Sequence, residues 1–412
     1  GTGSNHGRWS ADYTGNGNEQ KVILSNLSGN VFECMVSFSL YEESLIREER
    51  ENARVMYGYP GILSASRTSS HGLNNHFSVE WPMTFWTTGA AWNAHFFYDY
   101  YLYTMDREFF LNHALPYMKE CIVFFAKFLI EDENGKWMFV PPYSPENKPA
   151  NSPGISQACI NATMDVALVS ELLRNLIQGC ETEGVEKESL PKWRAMLGKM
   201  PAYQINEDGA LKEWCTSRHE DFYDHRHSSH LYPLYYGVAE EFKNQPELME
   251  AAKKAYEMRM KYKKQEIGVM AFGTIQMAMT AVHLGDTDTA WRLLCSIAEN
   301  NYYNTFSPSH NAGPFIFNCD ISGGVPGLLF EMLIQSYPVT DENGKTWYFA
   351  KYDDIVLNNK SNYGAPKKGI ASSPIIDVTY FYDDVDLAPT VAQQARFVDE
   401  KGQEIAPIKV NM

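Results

Sequence analysis

Residues 81–103 read WPMTFWTTGAAWNAHFFYDYYLY, the densest aromatic stretch of the sequence. Its rings recur at a helical period, as in Phe85, Trp92, Phe96 and Tyr100, so we expect a buried helix here. Apolar residues recur in the same way in roughly ten stretches of about 12 to 20 residues, which fall into antiparallel-looking pairs. The pattern predicts a mainly α protein, an α/α toroid or barrel in which the inner helices are apolar and polar loops at one end form a site.

The other stretches with a helical period lie on both sides of this one in the sequence. One begins near Ser156 or Asn161, and Asp286 or Thr287 is the expected N-cap of another. Together they cover about 22–54, 106–129, 161–173, 190–197, 247–262, 268–284, 288–298 and 327–335.

Two Asn-Gly turns indicate strands. The turn at 133–136 leads into the apolar run 137–140 and predicts a short hairpin. The turn at 343–344 lies after the last helical period, where apolar residues begin to alternate. We therefore expect two domains, a helical one over residues 1–337 and a small C-terminal β appendage over residues 338–412.

Composition narrows the class of partner. The net charge is −16, from 35 basic and 51 acidic residues, which argues against nucleic acid and anionic membranes. No apolar run approaches the ~18 residues of a membrane span, so no membrane insertion is expected. Aromatic residues make up 14% of the chain, and flat rings suit both a large core and the apolar faces of sugars. The seven cysteines form no CxxC or other metal spacing and are expected to be mostly buried thiols.

A carboxylate stands on a rigid loop at Tyr143-Ser144-Pro145-Glu146-Asn147. In a helix-rich chain such a polar loop commonly forms the wall of a site, so we interpret Glu146 as a general acid, the alternative being a solvated loop glutamate. Asp320 follows an apolar run and precedes two glycines; it is either a base, a residue that orients one, or a turn aspartate. Together they supply the two carboxyl groups that glycoside hydrolysis normally needs.

Three histidines, His225, His227 and His230, form an H-x-H-x-x-H set around Arg226. A metal site would need a further ligand that the sequence does not supply, and we expect neither a metal nor another cofactor. Recognition of sugar hydroxyl groups fits the donors and acceptors of these side chains better. A histidine-capped helix start is compatible with either hypothesis.

Polar and aromatic residues elsewhere allow two interpretations. Asn16 and Asn18 are two residues apart, so in extended structure they project to the same side, although a frayed terminus is the alternative. Trp81 lies at the start of the aromatic stretch, where it either enters a site or packs in the core.

Several stretches, taken in order, resemble glycoside hydrolase family 95, the inverting α-L-fucosidases, in its (α/α)6 catalytic domain. The resemblance covers about residues 7–337. Its motifs are Arg8-Trp9-Ser10-Ala11-Asp12-Tyr13-Thr14 with Asn16 and Asn18, Trp81-Pro82-Met83, residues 104–109, Ser144-Pro145-Glu146-Asn147, Met164-Asp165, residues 211–214, residues 225–232, and Asp320 through residues 331–336.

The resemblance implies a role for each matching residue. Glu146 would protonate the leaving-group oxygen with a raised pKa, Asn16 and Asn18 would hold the attacking water, and Asp320 would polarise that arrangement. Inversion requires a gap of ~6.5–9.5 Å between the acid and the base machinery. The remaining motifs supply expected substrate-binding residues, namely His225, Arg226, His227, His230, Trp81 and Trp214.

The implied activity is cleavage of terminal α-L-fucosidic linkages of oligosaccharides, α-1,2 in particular, by inversion and without a cofactor. Alternatives are an α-L-galactosidase or related α-glycosidase of the same family, and a carbohydrate-binding protein that has lost turnover. The oligomeric state is not determined by the sequence. The resemblance implies a secreted or periplasmic protein; no signal peptide is recognisable, and residues 1–18 are typical of an interior loop, which predicts a longer protein.

The chain departs from the family pattern at two places near the expected site. Gly15 and Gly17 stand where the family has bulkier apolar residues beside the asparagines. The family's Asp-Gly-Asn-Phe-Gly is replaced by the segment 320–324, which reads DISGG. The residues after Tyr337 also match the family's usual continuation poorly.

Overall fold

The computed structural model describes residues 13–74, 83–152, 154–262, 270–313, 317–340, 346–352, 395–398 and 404–405. In this part of the chain the α-helices are α1 (Asn18–Val22), α2 (Phe32–Tyr57), α3 (Gly89–Thr104), α4 (Arg107–Phe109), α5 (Leu115–Phe128), α6 (Thr163–Glu183), α7 (Leu190–Gly198), α8 (Glu240–Asn244), α9 (Pro246–Tyr262), α10 (Ala271–Leu284), α11 (Thr287–Asn300) and α12 (Asp320–Leu333). A π-helical turn, Phe110–Ala114, joins α4 to α5, and 3₁₀ turns cover Met83–Phe85 and Ser229–Leu234.

Helix α3 is the buried helix that the aromatic stretch predicts. It packs on α2, α5 and α6. Phe97 on α3 stacks on Tyr117 of α5 with ring centroids 4.4 Å apart. At Gly179 of α6 a Cβ would lie 2.5 Å from the ring of Phe110, so glycine permits this close approach. Each large ring that is fully buried contributes about 1.5–3 kcal/mol of transfer free energy, which makes α3 the centre of the core.

Helices α10 and α11 show the difference between an inner and an outer helix. Every residue of α10 from Ala271 to His283 is buried. In contrast α11 buries only one stripe, at positions 290, 293, 294 and 297. The side chain of Asp286 accepts a hydrogen bond from the amide of Thr289 at 3.2 Å, which confirms the predicted N-cap. The expectation of apolar inner helices is therefore met by α10.

Several boundaries differ from the sequence-based expectation. Helix α6 continues to Glu183, ten residues beyond the expected end, and α3 begins only at Gly89. The predicted helix 22–54 is two helices, because Ser, Asn and Gly residues between 25 and 30 form turns between α1 and α2. The predicted helix 327–335 begins at Asp320, and Gly327 is an interior residue whose absent Cβ makes room for Leu24. That helix ends at Leu333, because the chain enters a strand at Ile334.

The strands form small sheets. β1 (Tyr13–Thr14) pairs antiparallel with β2 (Arg67–Thr68), and β3 (Ile130–Glu131) with β4 (Trp137–Met138). The second pair confirms the hairpin that the turn at 133–136 predicts. A four-stranded sheet follows α12, in the order β5 (Ile334–Thr340), β6 (Thr346–Tyr352), β7 (Ala395–Val398), β8 (Glu404–Ile405). The boundary between two domains at residue 337 stays a prediction.

Candidate active site

The segment that carries Asn16 and Asn18 is fixed by backbone and side-chain hydrogen bonds. After β1, the amide of Gly15 donates to the carbonyl oxygen of Ser66 at 2.9 Å. The side chain of Gln20 then accepts from the amide of Gly17 at 2.8 Å and donates to the carbonyl oxygen of Gly15 at 3.0 Å. Asn16 is therefore held in a closed turn at the start of α1, and its side chain is buried.

Backbone conformation and packing explain why position 17 is a glycine in this chain. Its φ of +102° lies in the left-handed region that favours glycine. A Cβ on Gly17 would lie 2.8 Å from the ring of Phe272 and 2.9 Å from that of Trp92. Two aromatic rings therefore fill the space that a larger residue beside Asn16 would need.

Each of the two asparagines donates a hydrogen bond to a different carboxyl group. Asn16 Nδ2 donates to Glu146 Oε1 at 3.5 Å, and Asn18 Nδ2 donates to Asp320 Oδ2 at 2.7 Å. Among the described residues nothing donates to Asn16 Oδ1, although this oxygen is buried. A buried amide oxygen of this kind is an acceptor for a bound water molecule.

Glu146 is buried beside the side chains of Arg226 and His227. Arg226 forms an ion pair with its Oε2 atom, and His227 Nε2 lies 3.4 Å from the same oxygen. Burial raises the pKa of Glu146 above the ordinary range of a glutamate, while Arg226 and Arg67 oppose this rise. The direction agrees with the raised pKa that the sequence analysis expects of a general acid.

A buried ion pair braces the loop on both sides of Glu146. Ser144 Oγ donates to Glu213 Oε1 at 2.8 Å, and Asn147 Nδ2 donates to Glu213 Oε2 at 2.5 Å. Arg259 Nη2 completes the arrangement at 2.8 Å from Glu213 Oε2. These contacts fix the residues before and after Pro145-Glu146, so the carboxyl group has a defined position.

Asp320 is the first residue of α12, and its side chain is buried. Burial raises the pKa of its carboxyl group, while the hydrogen bond from Asn318 and the charges of His310 and Lys21 oppose this rise. The hydrogen bond that Asn18 donates to the carboxylate also opposes the rise of this pKa. Asp320 is therefore a helix-start aspartate and a partner of the asparagine segment at the same time.

Of the expected substrate-binding residues, Arg226 and His227 lie beside Glu146. Arg226 and His227 contact Glu146 directly, and His225 Nδ1 accepts from the amide of His227 at 3.1 Å. His230 is buried one layer deeper, with Nδ1 3.8 Å from Glu213 Oε2. It lies beside the ion pair of Glu213 and Arg259, with Nδ1 3.4 Å from Arg259 Nη2.

The expectation that Trp214 binds substrate is corrected by its burial. The indole has no exposed surface and packs with Cys159 and Ala162, so no face remains for a sugar ring. Trp81 lies outside the described residues.

The sequence offers no reason to expect a role for Glu213, Arg259 or Lys21. Glu213 lies in one of the motifs that carry the family resemblance, which is the only signal that pointed to it. Arg259 lies on α9, where its position looks like that of an ordinary helix residue. Lys21 is three residues after Asn18 and is buried, which the local sequence does not indicate.

Within the described ranges no group of three or more His, Cys, Asp or Glu side chains is arranged to hold a metal ion. None of the helices described is both long and apolar enough to cross a bilayer. The cysteines are free thiols, and four of them, at 121, 159, 180 and 215, are buried.

Solved structures share the fold at low sequence identity. A putative kojibiose phosphorylase from human microbiome aligns with a TM-score of 0.50 and 12% identity, over 81% of this chain and 51% of that one. A glycosidase variant in complex with glucose aligns with a TM-score of 0.51 and 10% identity, over 79% of this chain and 88% of that one. These similarities confirm the mainly helical (α/α)6 architecture.

Sequence comparison extends the likeness to a family. Alpha-L-fucosidase 2 of Arabidopsis thaliana is 28% identical over 331 residues, which are 77% of this chain and 38% of that protein. The chain therefore spans well under half the length of this curated relative. The model of the glycosyl hydrolase family 95 catalytic domain matches residues 2–333, and the match takes in the asparagine segment, Glu146 and Asp320. The chain belongs to glycosyl hydrolase family 95.

Proposed function

We propose that this protein hydrolyses terminal α-L-fucosidic linkages of oligosaccharides, α-1,2 linkages in particular, with inversion at the anomeric carbon. The family and the fucosidase relative support a glycoside hydrolase of this kind. A secreted or periplasmic location belongs to the same proposal, because the substrates are oligosaccharides.

The observation that carries the proposal is the pairing of one short segment with two carboxyl groups. Asn16 contacts Glu146, and Asn18 contacts Asp320, so the segment spans the space between the acid and the other carboxylate. A water held by asparagine oxygens in that space attacks the anomeric carbon from the side opposite the leaving group. Such opposed placement of water and acid is what inversion requires.

Glu146 acts as the general acid. Its raised pKa keeps a proton on the carboxyl group at higher pH than an exposed glutamate would hold it, and it delivers this proton to the leaving-group oxygen. Arg226 and His227 orient the carboxyl group and offer donors to sugar hydroxyl groups.

Asp320 compensates for the weak basicity of an amide. Its carboxylate accepts the hydrogen bond of Asn18 Nδ2, which polarises the amide and makes its oxygen a better acceptor for the proton of the water. The attacking water becomes positively charged as it bonds to the anomeric carbon; its proton passes to the amide oxygen of Asn18 while the amide N–H proton passes to Asp320, whose carboxylate becomes neutral. The asparagines therefore position the water, and Asp320 accepts the proton.

The test compares two leaving groups in the wild-type protein and in Glu146→Gln. Wild type should release fucose from an α-1,2-fucosylated lactose, and the variant should lose about 10²–10⁴-fold in rate. With 2,4-dinitrophenyl α-L-fucoside, whose leaving group needs no proton, the loss should be much smaller. An equal loss with both substrates would remove the acid role, and the exposed Glu220→Gln should behave as wild type.

A further inference from the structure

Lys21 is a buried cation beside the proposed site that no step of the mechanism uses. The residue is only 3% exposed and lies one helical turn after Asn18 on α1. Its ammonium group faces three aromatic rings, at 4.5 Å from the centroid of Phe272, 5.4 Å from Tyr235 and 5.6 Å from Trp92. Burial lowers the pKa of Lys21 to about 7, and the charge of Asp320 opposes this change.

The rings compensate for only part of the desolvation of this ammonium group. A lysine offers three N–H donors, and the described part of the chain supplies no acceptor at hydrogen-bond distance and no carboxylate at ion-pair distance. Cation–π contact is weaker than the hydration that burial removes. None of the hydrogen bonds and ion pairs found among the described residues involves this ammonium group, so its N–H donors are available to a water or ligand molecule that enters beside the rings.

The three rings around Lys21, those of Phe272, Tyr235 and Trp92, form an aromatic cage. This cage lies next to residues of the proposed pocket. Phe272 also packs on His227, with ring centroids 4.9 Å apart, and His227 lies beside Glu146. The same ring fills the space next to Gly17, between the two asparagines. On the other side, Asp320 is the charged group that acts on Lys21.

We propose that Lys21 is a substrate-binding residue that donates a hydrogen bond to a hydroxyl group of the sugar in this pocket. The inference rests on the proposed function, because it takes an L-fucose-like pyranose as the ligand. Such a hydroxyl accepts from the ammonium group in a site shielded from water, where a missing partner is strongly penalised. Lys21 would then help to select which sugar is bound.

Binding is measured without turnover, in the Glu146→Gln protein. Titration calorimetry with methyl α-L-fucoside and methyl α-L-galactoside is compared between this parent and the parent with Lys21→Met. Methionine is unbranched and apolar, so it should keep the aromatic cage packed. Lys127→Met, at an exposed position on α5, is the matched control.

We expect Lys21→Met to weaken binding at least tenfold, and Lys21→Gln, which keeps an N–H donor, to lose less. A loss for both glycosides assigns a hydroxyl common to the two sugars, whereas a loss for the galactoside alone assigns the hydroxyl at C6. Unchanged affinity for both glycosides overturns the inference, even if the rate of the active enzyme changes. If the parent binds neither glycoside, the proposed substrate fails together with the inference, which is a distinct result.

Discussion

Asn147 donates a hydrogen bond to Glu213 at 2.5 Å, and it is the residue directly after Glu146. Ser144, two residues before Glu146, donates to the other oxygen of the same carboxylate. The buried pair of Glu213 and Arg259 thus fixes both sides of the acid without contacting its carboxyl group. We therefore regard Glu213 as a positioning residue.

Replacing Ser144 by Ala should lower kcat about tenfold and leave KM nearly unchanged. The substitution removes one brace of the loop and keeps the Glu213–Arg259 pair, so the protein should stay folded. A misplaced acid costs transition-state stabilisation more than substrate binding. Steady-state kinetics on the fucosylated lactose provides the measurement.

Glu213→Gln is the stronger form of the same test. It leaves the Arg259 cation buried without a carboxylate, so it should destabilise the fold by about 3–5 kcal/mol as well as lower kcat. Urea denaturation reports the first effect. If Ser144→Ala has wild-type kcat, the positioning role of Glu213 is contradicted whatever the stability of Glu213→Gln.

The alkaline limb of the pH–rate profile should move to higher pH in Arg226→Gln. Burial raises the pKa of Glu146 and Arg226 opposes the rise, so removing the guanidinium group lets the pKa rise further. Since the acid must be protonated to act, the enzyme then stays active to higher pH. The profile of kcat/KM shows the shift, and exposed Arg218→Gln should show none. A shift to lower pH would contradict the assignment of the limb to Glu146.

Asn16→Ala should reduce kcat on the order of 10²-fold and retain sugar binding. The amide oxygen of Asn16 is the buried acceptor that we assign to the attacking water, and alanine removes it. Rates and calorimetric affinities are measured on the same preparation, with Asn112→Ala on the protein surface as the control. Loss of affinity with unchanged kcat would instead place Asn16 in sugar binding alone.

As pH rises, the free energy of unfolding should fall less steeply in Asp165→Asn than in wild type. Asp165 is fully buried, accepts from Thr88 Oγ1 at 2.5 Å, and its pKa is raised by burial from 3.8 to about 7. Between these two pH values the unfolded chain ionises first, so stability is lost as pH rises, by at most ~1.4 kcal/mol per unit. Above pH 7 the loss is complete.

Urea denaturation at pH 5, 6 and 7 measures this difference. The other buried carboxyl groups, such as Glu49, titrate in both proteins and cancel in the comparison. Exposed Asp224→Asn should give the wild-type slope. Parallel curves for wild type and Asp165→Asn would show that Asp165 does not carry the effect.

The helical part of the fold could be predicted because its signals are local. The helical period of apolar residues predicts α3 and α5. An aspartate indicates the start of α11, and an Asn-Gly pair predicts the hairpin of β3 and β4. The start of α12 at Asp320 could not be found this way, since its first turn is DISG, with a glycine close behind. At Gly323 a Cβ would lie 1.9 Å from the carbonyl oxygen of Val22, so helix-helix contact determines this glycine.

The candidate site was predicted where motifs carry it and missed where only folding brings residues together. Glu146, Asp320 and the asparagines lie in short motifs, and the structure joins them in two pairs. Arg259 reaches Glu213 across 46 positions, and Lys21 meets three rings from three separate segments. Neither contact has a local signal. Trp214 was misjudged because the sequence does not distinguish a packed indole from one in a site.

The configuration of the first product tests the central claim most directly. Proton NMR follows the anomeric signal of fucose during the first turnovers on the α-1,2-fucosylated lactose, before mutarotation. Attack by a water between Asn16 and Asn18, opposite Glu146, predicts that β-L-fucose appears first. Initial release of α-L-fucose would mean retention of configuration and would contradict this account of the site.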